Sequence, residues 1–101
     1  MYTVNTSFMV SPEVHDRWYV LLVDKYIPSL KQAGLEKILF TRVLSAENVG
    51  HHTYSLQVEV EHLGLYKQIT EELFVEYTKI AADAFGQGAV HFITLLKHIE
   101  I

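Results

Sequence analysis

Between Tyr2 and Val10 the chain alternates. Tyr2, Val4, Phe8 and Val10 share one parity, and Thr3, Asn5, Ser7 and Met9 share the other. A period of two predicts a strand with one buried face. Ser11-Pro12-Glu13 then predicts a helix start: Ser suits the N-cap, Pro the first helical position, and Glu the positive end of the dipole. Val14, Trp18, Leu21 and Leu22 follow at helical spacing as an apolar stripe. Pro28 removes an amide donor and disfavours helical geometry at Ile27, so a kink or break is expected near 26–28, with Gly34 as the stop. Residues 35–45 are rich in Leu, Ile, Phe and Val and predict a second strand, and Asn48-Val49-Gly50 predicts a turn. Over 52–61, Tyr54, Leu56, Val58 and Val60 alternate with Thr53, Ser55, Gln57, Glu59 and Glu61, the clearest strand in the chain. Tyr66, Ile69, Leu73, Tyr77, Ile80 and Ala84 place a helix over 63–85 that Gly86 ends. Residues 89–100 predict a last apolar strand.

The order βαββαβ predicts a ferredoxin-like α+β fold: an antiparallel sheet ordered 4-1-3-2 with both helices on one face. The chain then leaves the other face bare. Strands one and three present polar side chains there. Strands two and four are apolar on both parities, with Ile38, Phe40 and Leu44 against Leu39 and Val43, and Phe92 and Leu96 against Ile93 and Leu95. Strands apolar on both sides are usually covered on both sides. A second copy stacking its sheet on the first is the economical cover. The expected interface residues are Asn5, Ser7, Arg42, Ser55, Gln57 and Glu59, with Arg42 pairing a neighbouring carboxylate or amide.

The totals narrow the functional classes. A chain of 101 residues suits one domain over 1–101. It has no cysteine, which excludes disulfides, thiolate metal sites and a cysteine nucleophile and fits a reducing compartment. The formal net charge is -4, and no basic cluster marks a nucleic-acid partner. No signal-peptide pattern and no run of about 18 apolar residues occurs. A soluble cytoplasmic protein with neither membrane nor nucleic-acid partners is expected.

Short pieces carry a family resemblance: Pro12-Glu13-Val14 followed by Trp18, then Ile27-Pro28, Gly34, Thr53-Tyr54 and Phe92-Ile93-Thr94-Leu95-Leu96. Across nearly its whole length the chain resembles the dimeric α/β-barrel superfamily and, within it, a small bacterial family known as a domain of unknown function. The resemblance implies the ferredoxin-like fold and a homodimeric α/β barrel. It implies no single activity, because the superfamily includes cofactor-independent monooxygenases, haem-degrading enzymes, lactone isomerases and proteins without known activity. Family members often carry a polar residue or histidine where this chain has Tyr26, so no site transfers to that position.

The histidines are the first chemistry to weigh. His51 and His52 are adjacent and point to opposite faces of a strand, while His52 and His62 lie about 33 Å apart along it. No strand offers a His-x-His or His-x-Asp pair, His98 and Glu100 at the terminus alone have the right spacing, and no helix offers His-x-x-x-His. Neither a metal site nor a cofactor is expected. The 4-1-3-2 order gathers His51, His52, His91, Glu13, His15 and Asp16 at one end and His62 and His98 at the other. His15, His52 and His91 are therefore the candidates for acid–base work, against the plainer reading that they are solvated loop and cap residues. Trp18, Tyr54 and Tyr66 fall on core-facing positions and are the candidates to line a pocket for a small apolar ligand between helices and sheet; an aromatic stripe is more often plain core. No phosphate loop or nucleophile elbow occurs. The readings in play are a small homodimer binding a ligand in that cleft, a cofactor-independent oxygenase or isomerase, and a regulatory or subunit-interaction module.

Overall fold

A computed structural model describes residues 1–45 and 50–101. Strand β1 (Tyr2–Val10) leads into a helical arm made of α1 (His15–Leu21), a π-helical turn (Leu22–Tyr26) and α2 (Ile27–Gln32). Strands β2 (Ile38–Arg42) and β3 (His52–Val60) follow. The second arm is α3 (Leu63–Gln68), a π-helical turn (Ile69–Leu73) and α4 (Phe74–Phe85), and β4 (Ala89–Lys97) closes the fold. The sheet is antiparallel throughout, in the order β2-β3-β1-β4. This is the expected ferredoxin-like α+β arrangement, 4-1-3-2 read from the other edge. Among the described residues no helix is long and apolar enough to cross a membrane. The turn expected at Asn48-Val49 lies outside the described residues.

The parity of β1 decides what is core. Val4, Phe8 and Val10 of β1 and Tyr54, Leu56, Val58 and Val60 of β3 are buried, facing Trp18, Leu22, Leu30, Ile69 and Phe74 from the arms. Phe8 is the centre of this layer, 5.3 Å from Trp18, 6.4 Å from Phe74 and 5.7 Å from Tyr77, ring centroid to ring centroid. The arms are tied inside the core by Trp18, whose indole Nε1–H donates to the Tyr77 hydroxyl at 2.8 Å. A buried N–H of this kind needs a partner, and this one finds it on the opposite arm.

The first arm departs from expectation at both ends of its pattern. Pro28 neither breaks nor ends it. The Ile27 N–H bonds the Leu22 carbonyl five residues back, so a π turn absorbs the proline's missing donor and the helix continues. At the start, Pro12–Val14 form a turn and the helix begins at His15 without a side-chain cap from Ser11. Ser11 bonds the Glu13 carboxylate, which also accepts Glu13's own backbone N–H; these bonds hold Glu13 below the usual carboxylate pKa. At the other end the Leu35 N–H reaches back to the Leu30 carbonyl, with Gly34 at φ +92° between them. That Schellman closure makes Leu35 the end of the arm, which is why β2 starts three residues later than the apolar run suggests.

Phe8→Ala should lower unfolding free energy by about 3–5 kcal/mol, and Phe8→Leu by less than about 1.5 kcal/mol. Urea denaturation checks this; a loss below about 1 kcal/mol for the alanine variant would mean that Phe8 is not the keystone of the layer.

Candidate functional site

At the end of the sheet where β3 begins, the first arm lays His15 over Tyr54 and His52. The Nε2 of His15 lies 2.7 Å from the Tyr54 hydroxyl and its Nδ1 lies 3.0 Å from Asp16 Oδ1. Asp16 accepts from Nδ1–H, which in the neutral ring leaves Nε2 to accept the Tyr54 O–H. The imidazoles of His15 and His52 are 4.6 Å apart, and Arg42 Nη2 donates to His52 Nδ1 at 2.8 Å. Asp16 is fully solvated and His15 keeps 21% of its side-chain exposure, whereas Tyr54 is buried at 6%. The chemical capacity here is a proton path from a shielded phenol through an imidazole to a carboxylate in water. Among the described residues no group of three or more His, Cys, Asp or Glu can hold a metal ion.

Register sorts the other expected site residues. Arg42 pairs with Tyr54 and so points to the helical side of the sheet, not to the bare face where it was expected with Glu59. The run 35–45 is apolar on both parities, so its alternation says nothing about face; pairing with β3 settles it. His91 pairs with Phe8, one strand beyond Tyr54. Two strand spacings, about 10 Å, thus separate Tyr54 from His91. His91 packs edge-on against Phe74 at 4.8 Å and its pKa is lowered by burial. The gathering of histidines at one end is therefore real for His15 and His52, while His91 stands apart. His51 is exposed and close enough to Glu13 to help lower that carboxylate's pKa.

Trp18 and Tyr54 are closed into solid packing, 5.1 Å apart, with Phe40 stacked on Tyr54 at 5.3 Å. Tyr66 is half-buried against the core on α3. Open space lies elsewhere. A cavity of about 220 Å³ sits between the arms, lined by Tyr26, Tyr77, Leu73, Ile80, Asp24 and Glu76 among others. Tyr77 lies on the apolar stripe expected over 63–85, whereas Tyr26 joins the stripe of Trp18 and Leu22 only because the first arm continues through Pro28 instead of breaking there.

The bare face is the third candidate. Its centre is polar and internally bonded: Ser55 Oγ donates to Asn5 Oδ1, and Asn5 Nδ2 donates to Ser7 Oγ at 3.2 Å. Lys37 stands 3.9 Å from Glu59. Around this centre Met9, Leu39, Phe92 and Leu96 are exposed, Phe92 at 55%.

The model of a family described as a domain of unknown function, DUF4286, matches residues 1–99. The chain belongs to the DUF4286 family. No curated protein matches this DUF4286 chain. Two solved structures share its fold. One is an ethyl tert-butyl ether d (EthD) family protein from Bacillus halodurans C-125, 14% identical, covering 98% of this chain and 100% of that one, with a TM-score of 0.63. The other, described as a dimeric ferredoxin-like protein from an uncultured marine organism, is 16% identical and covers 100% of this chain and 98% of that one, also at TM-score 0.63. At these identities both show the ferredoxin-like fold of the DUF4286 domain.

Two outcomes check this geometry. Since the folded His91 pKa lies below the usual 6.5, the unfolded chain binds the extra proton first. His91's contribution is whole above about pH 6.5 and falls away as the pH drops through that value toward the folded pKa. His91→Phe should remove this part of the acid-side loss in denaturation curves; an unchanged pH profile would contradict it. Second, nitrogen-15 NMR should find neutral His15 held as the Nδ1–H tautomer, and Tyr54→Phe should relax it toward a mixture.

Proposed function

We propose that this chain is a cytoplasmic, single-domain protein that works as a homodimer of the dimeric α/β-barrel type, two copies stacking their bare sheet faces around a polar centre. The observation behind the reading is the pattern on that face: exposed Met9, Leu39, Phe92 and Leu96 surrounding polar groups that already satisfy one another. Burying unpaired polar groups would cost several kcal/mol, but Asn5, Ser7 and Ser55 bring their hydrogen bonds with them. The size also fits. Four strands about 4.8 Å apart and up to nine residues long make a plane of roughly 500 Å² before side-chain relief, near the 800 Å² per partner of a standard interface. A hollow of about 340 Å³ beside Lys37, Leu39, Gln57 and Glu59 offers room for a side chain from the second copy. A structurally similar protein is described as dimeric, which supports a dimer here. In this reading Asn5, Ser7, Ser55, Gln57 and Glu59 belong to the interface and Arg42 does not.

A second reading rests on the His15–Tyr54 contact, which supports acid–base chemistry at the end of the sheet. It differs from an oxygenase- or isomerase-type cleft lined by Trp18, Tyr54 and Tyr66, since two of those rings are committed to the core.

The first reading predicts the mass of a dimer at micromolar concentration by sedimentation. Phe92→Glu with Leu96→Glu should give a folded monomer, while Val20→Glu on the outer side of the first arm should remain dimeric. A monomeric parent chain would refute the reading.

A further inference from the structure

We propose that the cavity between the helical arms is a binding site for a small organic cation, an amine carried on a body about the size of one aromatic ring. Its position is the first reason. Each arm contains one π turn, Leu22–Tyr26 and Ile69–Leu73, and both border this cavity, supplying Asp24, Lys25, Tyr26 and Leu73 to its lining. A π turn trades good i→i+4 geometry for a local widening, and such turns recur at functional sites. Pro28 accounts for the first. The second contains no proline; its Thr70 hydroxyl donates back to the Tyr66 carbonyl at 3.1 Å, a local competitor for the backbone. The two widenings meet at a gap between the arms.

Composition gives the chemistry. Leu21, Pro28, Leu73 and Ile80 form apolar walls. The floor is a pair of phenols, Tyr26 and Tyr77, with ring centroids 5.5 Å apart. Burial drives the Tyr26 pKa well above the phenol range and pushes Tyr77 up to about 12, so both line the cavity as neutral phenols. Neutral aromatic rings attract cations placed beside their π-systems. At the rim Asp24 and Glu76 outweigh Lys25. An anion would meet two carboxylates; a neutral ring would fill the walls but leave the rim unused. Size sets the body: about 220 Å³ exceeds the roughly 150 Å³ cavity that admits benzene and falls short of the roughly 300 Å³ where drug-sized pockets begin. The site lies on the helical side of the molecule, away from the bare sheet face, so it does not depend on the dimer.

The chain carries its own reporter, because its only tryptophan donates to Tyr77. In NMR titrations of the full-length chain at neutral pH, benzylamine should move the Trp18 indole N–H resonance and the amides of Asp24, Ser29, Glu76 and Ile80 saturably. Benzyl alcohol should bind about threefold more weakly or worse, and benzoate should not bind. Asp24→Asn with Glu76→Gln should bring benzylamine down to the level of benzyl alcohol. Ile80→Phe, with circular dichroism unchanged, should abolish all binding. Benzoate binding as well as benzylamine, shifts that survive Ile80→Phe, or no saturable shift at these residues would each overturn the proposal. A chain that is monomeric yet binds benzylamine in this pattern would sink the dimer and leave the cation site standing.

Discussion

The alternation of β1 is the constraint on which the rest depends. It is one of two inner strands, and it is paired along its whole length with β3 on one side and β4 on the other. Its parity therefore propagates to both neighbours, and through β3 to β2. A slip of one residue would move Phe8 from the centre of the aromatic layer to water and bring Asn5 and Ser7 under the helices. With the observed register, one face becomes a continuous core and the other a polar row with apolar flanks. Core, bare face and the end where His15 meets Tyr54 all follow from that assignment.

The helical layer is held by aromatic packing and a buried polar link between the arms. Trp18 and Tyr77 belong to different arms, and their hydrogen bond fixes how the arms face each other over Phe8. Neighbouring rings continue the layer: Phe74 stacks on Tyr77 at 4.9 Å and Tyr26 meets Phe74 at 5.3 Å. Where each arm widens into a π turn the packing opens, and the cavity lies there. The same device that lets Pro28 sit within a helix thus leaves space beside two neutral phenols.

Much of this architecture was legible in the residues. The alternation over 2–10 and 52–61 and the helical stripe over 63–85 fix strand parity, and the order of elements fixes the sheet. The misses have local physical causes. β2 is apolar on both sides, so only its partner strand assigns Arg42 to the helical face. Pro28 signals a lost donor, but whether the chain breaks or shifts to i→i+5 bonding depends on the core that Leu22, Tyr26 and Leu30 bury on either side of it. Ser11 has the right chemistry for a cap, yet its hydroxyl bonds the Glu13 carboxylate and the helix starts at His15 without a side-chain cap. For the site, topology brought His15 and His52 together as expected, while the placement of His91 depends on strand spacing, which only an explicit register supplies.

The apolar flanks of the bare face compete with exposed side chains on the arms, Tyr19, Val20, Val23, Leu63 and Val75. Which set meets a second copy is the sharpest question the fold poses. Isotope-filtered NOE spectroscopy on an equimolar mixture of labelled and unlabelled chains answers it directly. The account predicts intermolecular contacts from the side chains of Met9, Leu39, Phe92 and Leu96. Contacts confined to Tyr19, Val20, Val23, Leu63 and Val75, or none at all at concentrations where the mass is that of one chain, would contradict it.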